Sequence, residues 1–233
     1  MIYIVPFLSV LFGYAAALIL KPASKKNLKL LLAFSGSFLL ALTVLHILPE
    51  VYQASLHAAG EGHEQGNNPI GLYIMAGIIF QIILEYFSKG AEHGHVHIHS
   101  HEHSMPWLLF ISLCIHALLE GMPVSHNSDM AWGIAIHHFP IAIILTAFFV
   151  NSGLSKASIF LFMLAFALMT PLGTLASGQL SFISHYYTQV SAIVVGILFH
   201  ISSTIIFESG ENHKFNLAKL LVIILGVIMA YYL

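Results

Sequence analysis

The chain has no arginine, one aspartate (Asp129) and one cysteine (Cys114), and only 8% of its 233 residues are charged. So little charge, against roughly 25% in an ordinary soluble domain, excludes a soluble fold. The lone Cys114 excludes an internal disulfide framework. Eight lysines that form neither a block nor a helical stripe exclude a nucleic-acid footprint, and the formal net charge is only −2. A single aspartate gives Ser/His/Asp catalysis no support, and the absence of a glycine-rich phosphate loop disfavours an ATP-driven pump.

What is there is apolar. Hydrophobic residues make up 58% of the chain, and the mean hydropathy is +0.87. A bilayer core needs about 20 largely apolar helical residues. That template fits Ile2 to Leu20, Leu28 to Glu50, Pro69 to Phe87, Pro106 to Val124, Met130 to Val150, Lys156 to Gly178, Tyr187 to Glu208 and Phe215 to Tyr232. Helix is required because open strand edges leave backbone groups unsatisfied in lipid, and the runs lack the alternation of a barrel. The expected fold is therefore an all-α integral membrane protein with eight transmembrane helices in one domain, residues 1–233, and Ile2 to Leu20 is read as a retained first span.

Every lysine falls in or beside an odd-numbered loop or span end: Lys21, Lys25, Lys26 and Lys29, then Lys89, Lys156, Lys214 and Lys219. Positive charge stays cytoplasmic, so both termini are expected outside, in a cell membrane such as a bacterial inner membrane. The long cytoplasmic loop, 89–105, carries His93, His95, His97, His99, His101 and His103. Several neutral imidazoles on one tether offer overlapping nitrogen donor sets to zinc, copper or nickel.

An ionisable group deep in a span costs at least ~2.5 kcal/mol and marks function by default. Glu120 is one, and His116 sits four residues before it on the same helix face. Such a pair suits one divalent cation; the bland alternative is a hydrogen-bonded pair between helices. The next span offers His137 and His138 ahead of Pro140. Adjacent helical residues point about 100° apart, so one of the two, His137, is expected to face the His116 and Glu120 stripe. His46 and Glu50 near the end of span two, and His200, Thr204 and Glu208 at spacing four in span seven, extend this into a ladder of weaker stations. Permeation requires such stations, because ions must leave as well as bind. Glu85 reads as interfacial, and His57, His63, His126 and His185 as solvated loop residues.

Four motifs, His116-Ala117-Leu118-Leu119-Glu120-Gly121, His137-His138-Phe139-Pro140, His46-Ile47-Leu48-Pro49-Glu50 and Pro171-Leu172-Gly173, make the chain resemble the ZIP (Zrt/Irt-like) family of metal transporters over nearly its whole length. The resemblance implies a 3+2+3 arrangement with inverted outer repeats, a His-rich loop between spans three and four, and import of a divalent metal through a site between spans four and five. Where many members build a second metal position, this chain has Ala117, Ile141 and Thr170. The expectation is one ion, Zn2+ as cargo, held by His116, Glu120 and His137 with water or His138 completing the shell. The partners implied are a divalent metal ion and the lipid bilayer, with a homodimer left open and no nucleic acid. Two other readings compete: a membrane-embedded zinc hydrolase using the same ligands, and a non-transporting metal sensor working through the cytoplasmic histidines.

Overall fold

The computed structural model describes residues 1–20, 25–59, 69–88, 107–125, 128–208 and 217–233. The His-rich segment, with His93 to His103, lies outside the described residues. The elements are α1 (Ile4–Leu20), α2 (Lys25–Leu42), a π-helical turn (Thr43–Ile47), α3 (Leu48–Ala59), α4 (Ile70–Ser88) and α5 (Trp107–Gly121). A 3-10 turn (Pro123–Ser125) leads to α6 (Ser128–Asn151), α7 (Lys156–Gln179), α8 (Ser181–His185), α9 (Tyr187–Glu208) and α10 (Leu217–Tyr231). Among the described residues, five helical stretches are long and apolar enough to cross a membrane: Lys26–Leu56, Ile70–Phe87, Met130–Asn151, Lys156–Gln179 and Tyr187–Phe207. Three shorter apolar helices, Ile4–Leu20, Phe110–Ser125 and Leu217–Tyr231, accompany them. The chain is an integral membrane protein.

The second helical stretch departs from expectation. It does not stop at Glu50 but runs on to Ala59 through the π-helical turn. Pro49 has no N–H to give the carbonyl four residues back, and widening the preceding turn accommodates that lost bond. By contrast α6 and α7 continue as α-helix through Pro140 and Pro171.

Helices in lipid gain little from apolar burial and associate through close packing, which small residues permit. The contacts sort the helices into two groups. In one, α1 packs on α6 and α7, and α5 on α7; in the other, α4 packs on α9, α10 on α2, and α2 and α3 on α9. Each group contains backbone-to-backbone crossings at glycine. A Cβ on Gly173 would lie 1.8 Å from the carbonyl oxygen of Leu118, and one on Gly121 would lie 2.1 Å from that of Thr170, so α5 and α7 touch through their main chains. Gly77 and Gly196 bring α4 and α9 together in the same way, at 2.0 Å from Ile193 O and 1.9 Å from Ile74 O. Thr174 adds a hydrogen bond to Gly121 O at 2.8 Å, satisfying a carbonyl at the end of α5 that has no partner within its own helix. The two groups meet where α2 lies along α6 and α4 beside α5. There Leu42 of α2 places its side chain on Gly133 of α6.

Candidate metal centre

α5 carries His116 and Glu120 one turn apart, and α6 carries His137 and His138 in the turn before Pro140. All four side chains are buried, Glu120 to 1% exposure. One donor atom from each of His116, Glu120 and His137 lies within 4.8 Å of the other two. His116 Nε2 is 3.3 Å from Glu120 Oε2, and His137 Nε2 is 3.9 Å from Oε1. On a tetrahedral zinc with bonds of about 2.0–2.1 Å, two ligand atoms stand roughly 3.3–3.5 Å apart. The cluster is therefore close to ligand spacing.

His138 differs from expectation. Its Nε2 lies 2.9 Å from Glu120 Oε2, nearer than that of His137. The 100° between adjacent residues does not exclude it, because the carboxylate sits between the two imidazoles and offers one oxygen toward each. Oε2 gathers His116 and His138, while Oε1 has no hydrogen-bond partner among the described residues. A buried carboxylate oxygen without a donor is costly, and a cation between Oε1 and His137 Nε2 would satisfy it. A cavity of about 20 Å³ lies here, lined by Leu113, His116, His137, His138, Ile141, Phe166, Ile201 and Ile205. That is room for about one water-sized occupant.

The outlying residues are dispersed. Glu50 lines a cavity of about 10 Å³ with Ile47, Val51, Ala54, Met130, Tyr187, Thr188 and Ser191, at the starts of α6 and α9. Tyr187 also donates to Pro123 O at 3.0 Å, which sets this cavity beside the turn that follows Glu120. His46 turns to α10, where Nε2 meets Ala230 O at 2.8 Å. His200 is placed against α4: its Nε2 is 2.5 Å from Glu85 Oε2. Thr204 donates back to His200 O at 2.9 Å. The residues that α9 gives to the cavity at His116 are Ile201 and Ile205, one position along from His200 and Thr204. His46, His200 and Thr204 are thus not gathered around Glu120 here; each answers the nearest polar group of a neighbouring turn or helix. The side chain of Glu208 lies outside the described residues. At the positions read as a lost second site, Ala117 and Thr170 are buried and Ile141 lines the cavity.

One residue escaped the sequence reading. Ser35 of α2 is buried, and its Oγ lies 2.8 Å from His137 Nδ1. A serine among apolar residues gives no signal of its own.

Comparison with known proteins finds a likeness to the same family, over the first part of the chain. The family model described as ZIP Zinc transporter matches residues 1–106. The chain is also 33% identical over 82 residues to the zinc transporter SLC39A7 of Mus musculus, a stretch covering 32% of this chain and 17% of that protein. The chain thus matches well under half the length of that relative. The family match stops short of α5 and α6, so the geometry of the His/Glu cluster stands as an independent observation.

Proposed function

On the premise of this resemblance to the ZIP zinc transporter family, we propose that the chain moves a divalent metal ion, zinc foremost, into the cytoplasm through the site formed by His116, Glu120, His137 and His138. The observation that carries the reading is Glu120: a carboxylate at 1% exposure, surrounded by three imidazoles, with one oxygen lacking a donor among the described residues. Three neutral nitrogens and a single carboxylate suit zinc better than oxygen-preferring manganese or magnesium.

In this reading the five long helical stretches and three shorter ones make eight spans in a 3+2+3 arrangement, with both termini outside and the ligands on the fourth and fifth spans. Ions approach past Glu50 and leave past His200, Thr204 and Glu208, with the histidines of 93–103 receiving them in the cytoplasm. All four site residues belong to the helix group of α1, α5, α6 and α7. Access alternates by movement of that group against the other, as in repeat-built transporters. The apolar residues Leu113, Ile141, Phe166, Ile201 and Ile205 line the site beside the ligands. Binding needs deprotonated imidazoles, so zinc and protons compete and uptake weakens as pH falls.

Zinc entry into proteoliposomes enclosing a fluorescent chelator tests this. The intact chain takes zinc up; His116→Ala reduces entry to the level of empty liposomes; deletion of His93 to His103 leaves entry through the membrane in place. No entry with the intact chain, correctly inserted, would refute the transporter reading.

A further inference from the structure

The two adjacent histidines of α6 are supported differently. His138 Nδ1 has no hydrogen-bond partner among the described residues. His137 Nδ1 lies 2.8 Å from Ser35 Oγ, and the same hydroxyl lies 3.3 Å from the His137 carbonyl oxygen. A carbonyl only accepts, and a serine hydroxyl owns one proton. When Ser35 donates that proton to His137 O, its oxygen is left to accept from Nδ1–H. The tautomer with its proton on Nδ1 carries its lone pair on Nε2, the atom that faces Glu120 Oε1. Were Ser35 instead to donate to Nδ1, Nε2 would hold the proton and could not ligate a cation.

We propose that Ser35 is a positioning residue for the ion site: it holds His137 in the Nδ1–H tautomer with the Nε2 lone pair aimed at the metal. The inference rests on the reading of the cluster as a metal site and adds to it a residue from outside that cluster. Ser35 lies on α2, in the opposite helix group, so its hydroxyl joins the ion's ligand to a group that, among the described residues, contributes no ligand to the cluster. Groups bonded to the free ring nitrogen of a ligating histidine fix its tautomer and orientation, and their loss typically weakens metal binding about 10–100-fold.

The test has two parts on the full chain in detergent. The first is 15N NMR of histidine-labelled, metal-free protein, with the His137 signals assigned by their loss in His137→Asn. The second is zinc affinity by chelator competition. Unaltered protein should show His137 protonated at Nδ1. Ser35→Ala should yield mixed tautomers and a zinc dissociation constant about 10–100-fold higher, and Ser35→Thr, which keeps the hydroxyl, should restore both. His137 found in the Nε2–H form in the unaltered protein, a result that does not depend on any Ser35 variant folding, would overturn the role of Ser35. So would a well-folded Ser35→Ala that binds zinc as tightly as the parent. Failure of the unaltered protein to bind zinc would instead overturn the metal-site reading on which the role depends.

Discussion

Glu120→Gln should lower zinc uptake into liposomes at least a hundredfold while leaving the protein folded. Glutamine keeps the length of the side chain and can still accept from His138 Nε2, which lies 2.9 Å from Glu120 Oε2. What it removes is the only negative charge in the metal group of His116, Glu120 and His137. An ion in a site this buried has little water to compensate it, so loss of the charged ligand affects binding directly. A drop of about 2.7 kcal/mol in binding free energy corresponds to that hundredfold change. Uptake within a factor of about three of the parent, with monodisperse protein, would mean that Glu120 is a structural partner of the histidines and that the cargo passes elsewhere.

The second large effect is on the fold. Gly173→Val should abolish the yield of monodisperse protein, measured by size exclusion of a detergent extract, and Gly173→Ala should sharply lower its thermal midpoint. Even one added methyl would lie 1.8 Å from Leu118 O, a backbone atom, with Gly121 Cα 3.3 Å away. Ordinary overpacking costs about 1–3 kcal/mol because flexible side chains can give way. Here two helices must part, so the cost exceeds that range and approaches the whole stability of about 5–15 kcal/mol typical of a folded protein. Gly71→Ala is the control. It sits in α4 with nothing within 4 Å of an added Cβ, so the better helix propensity of alanine should leave the midpoint unchanged or slightly raised. Equal behaviour of the two alanine variants would show that the α5–α7 crossing is looser than described.

Much of this was legible because lipid enforces simple rules. Apolar length gave the five spanning stretches and the three shorter apolar helices among the described residues, the cost of burying charge singled out Glu120, and helical spacing paired it with His116. The limits are equally physical. A periodicity places residues on a face of their own helix but says nothing of which helix that face meets. His200 and Glu85 were therefore read apart, one as a station and one as interfacial, whereas the packing of α4 on α9 makes them a pair. The spacing that places His46 near Glu50 likewise does not disclose that its ring meets a carbonyl near the end of α10. The choice between His137 and His138 rested on ideal directions from Cα; a long glutamate reaching between two rings makes that choice unnecessary. Ser35 was invisible because its importance comes from a histidine about a hundred positions away in sequence.

The seam between the two helix groups has a kinetic meaning. Inside each group main chains touch, so neither can deform without prising helices apart. Across the seam, at Leu42 against Gly133 and Ser35 against His137, the contacts are made by side chains. Displacing one group past the other therefore asks for new leucine rotamers and the exchange of a buried hydrogen bond. Such bonds contribute only about 0.5–1.5 kcal/mol each, and collective rigid-body motions of helix groups run on microseconds to milliseconds. Under the alternating-access proposal, the movement that opens the site also separates Ser35 from His137, so a cation's dwell time and the lifetime of that contact should change together.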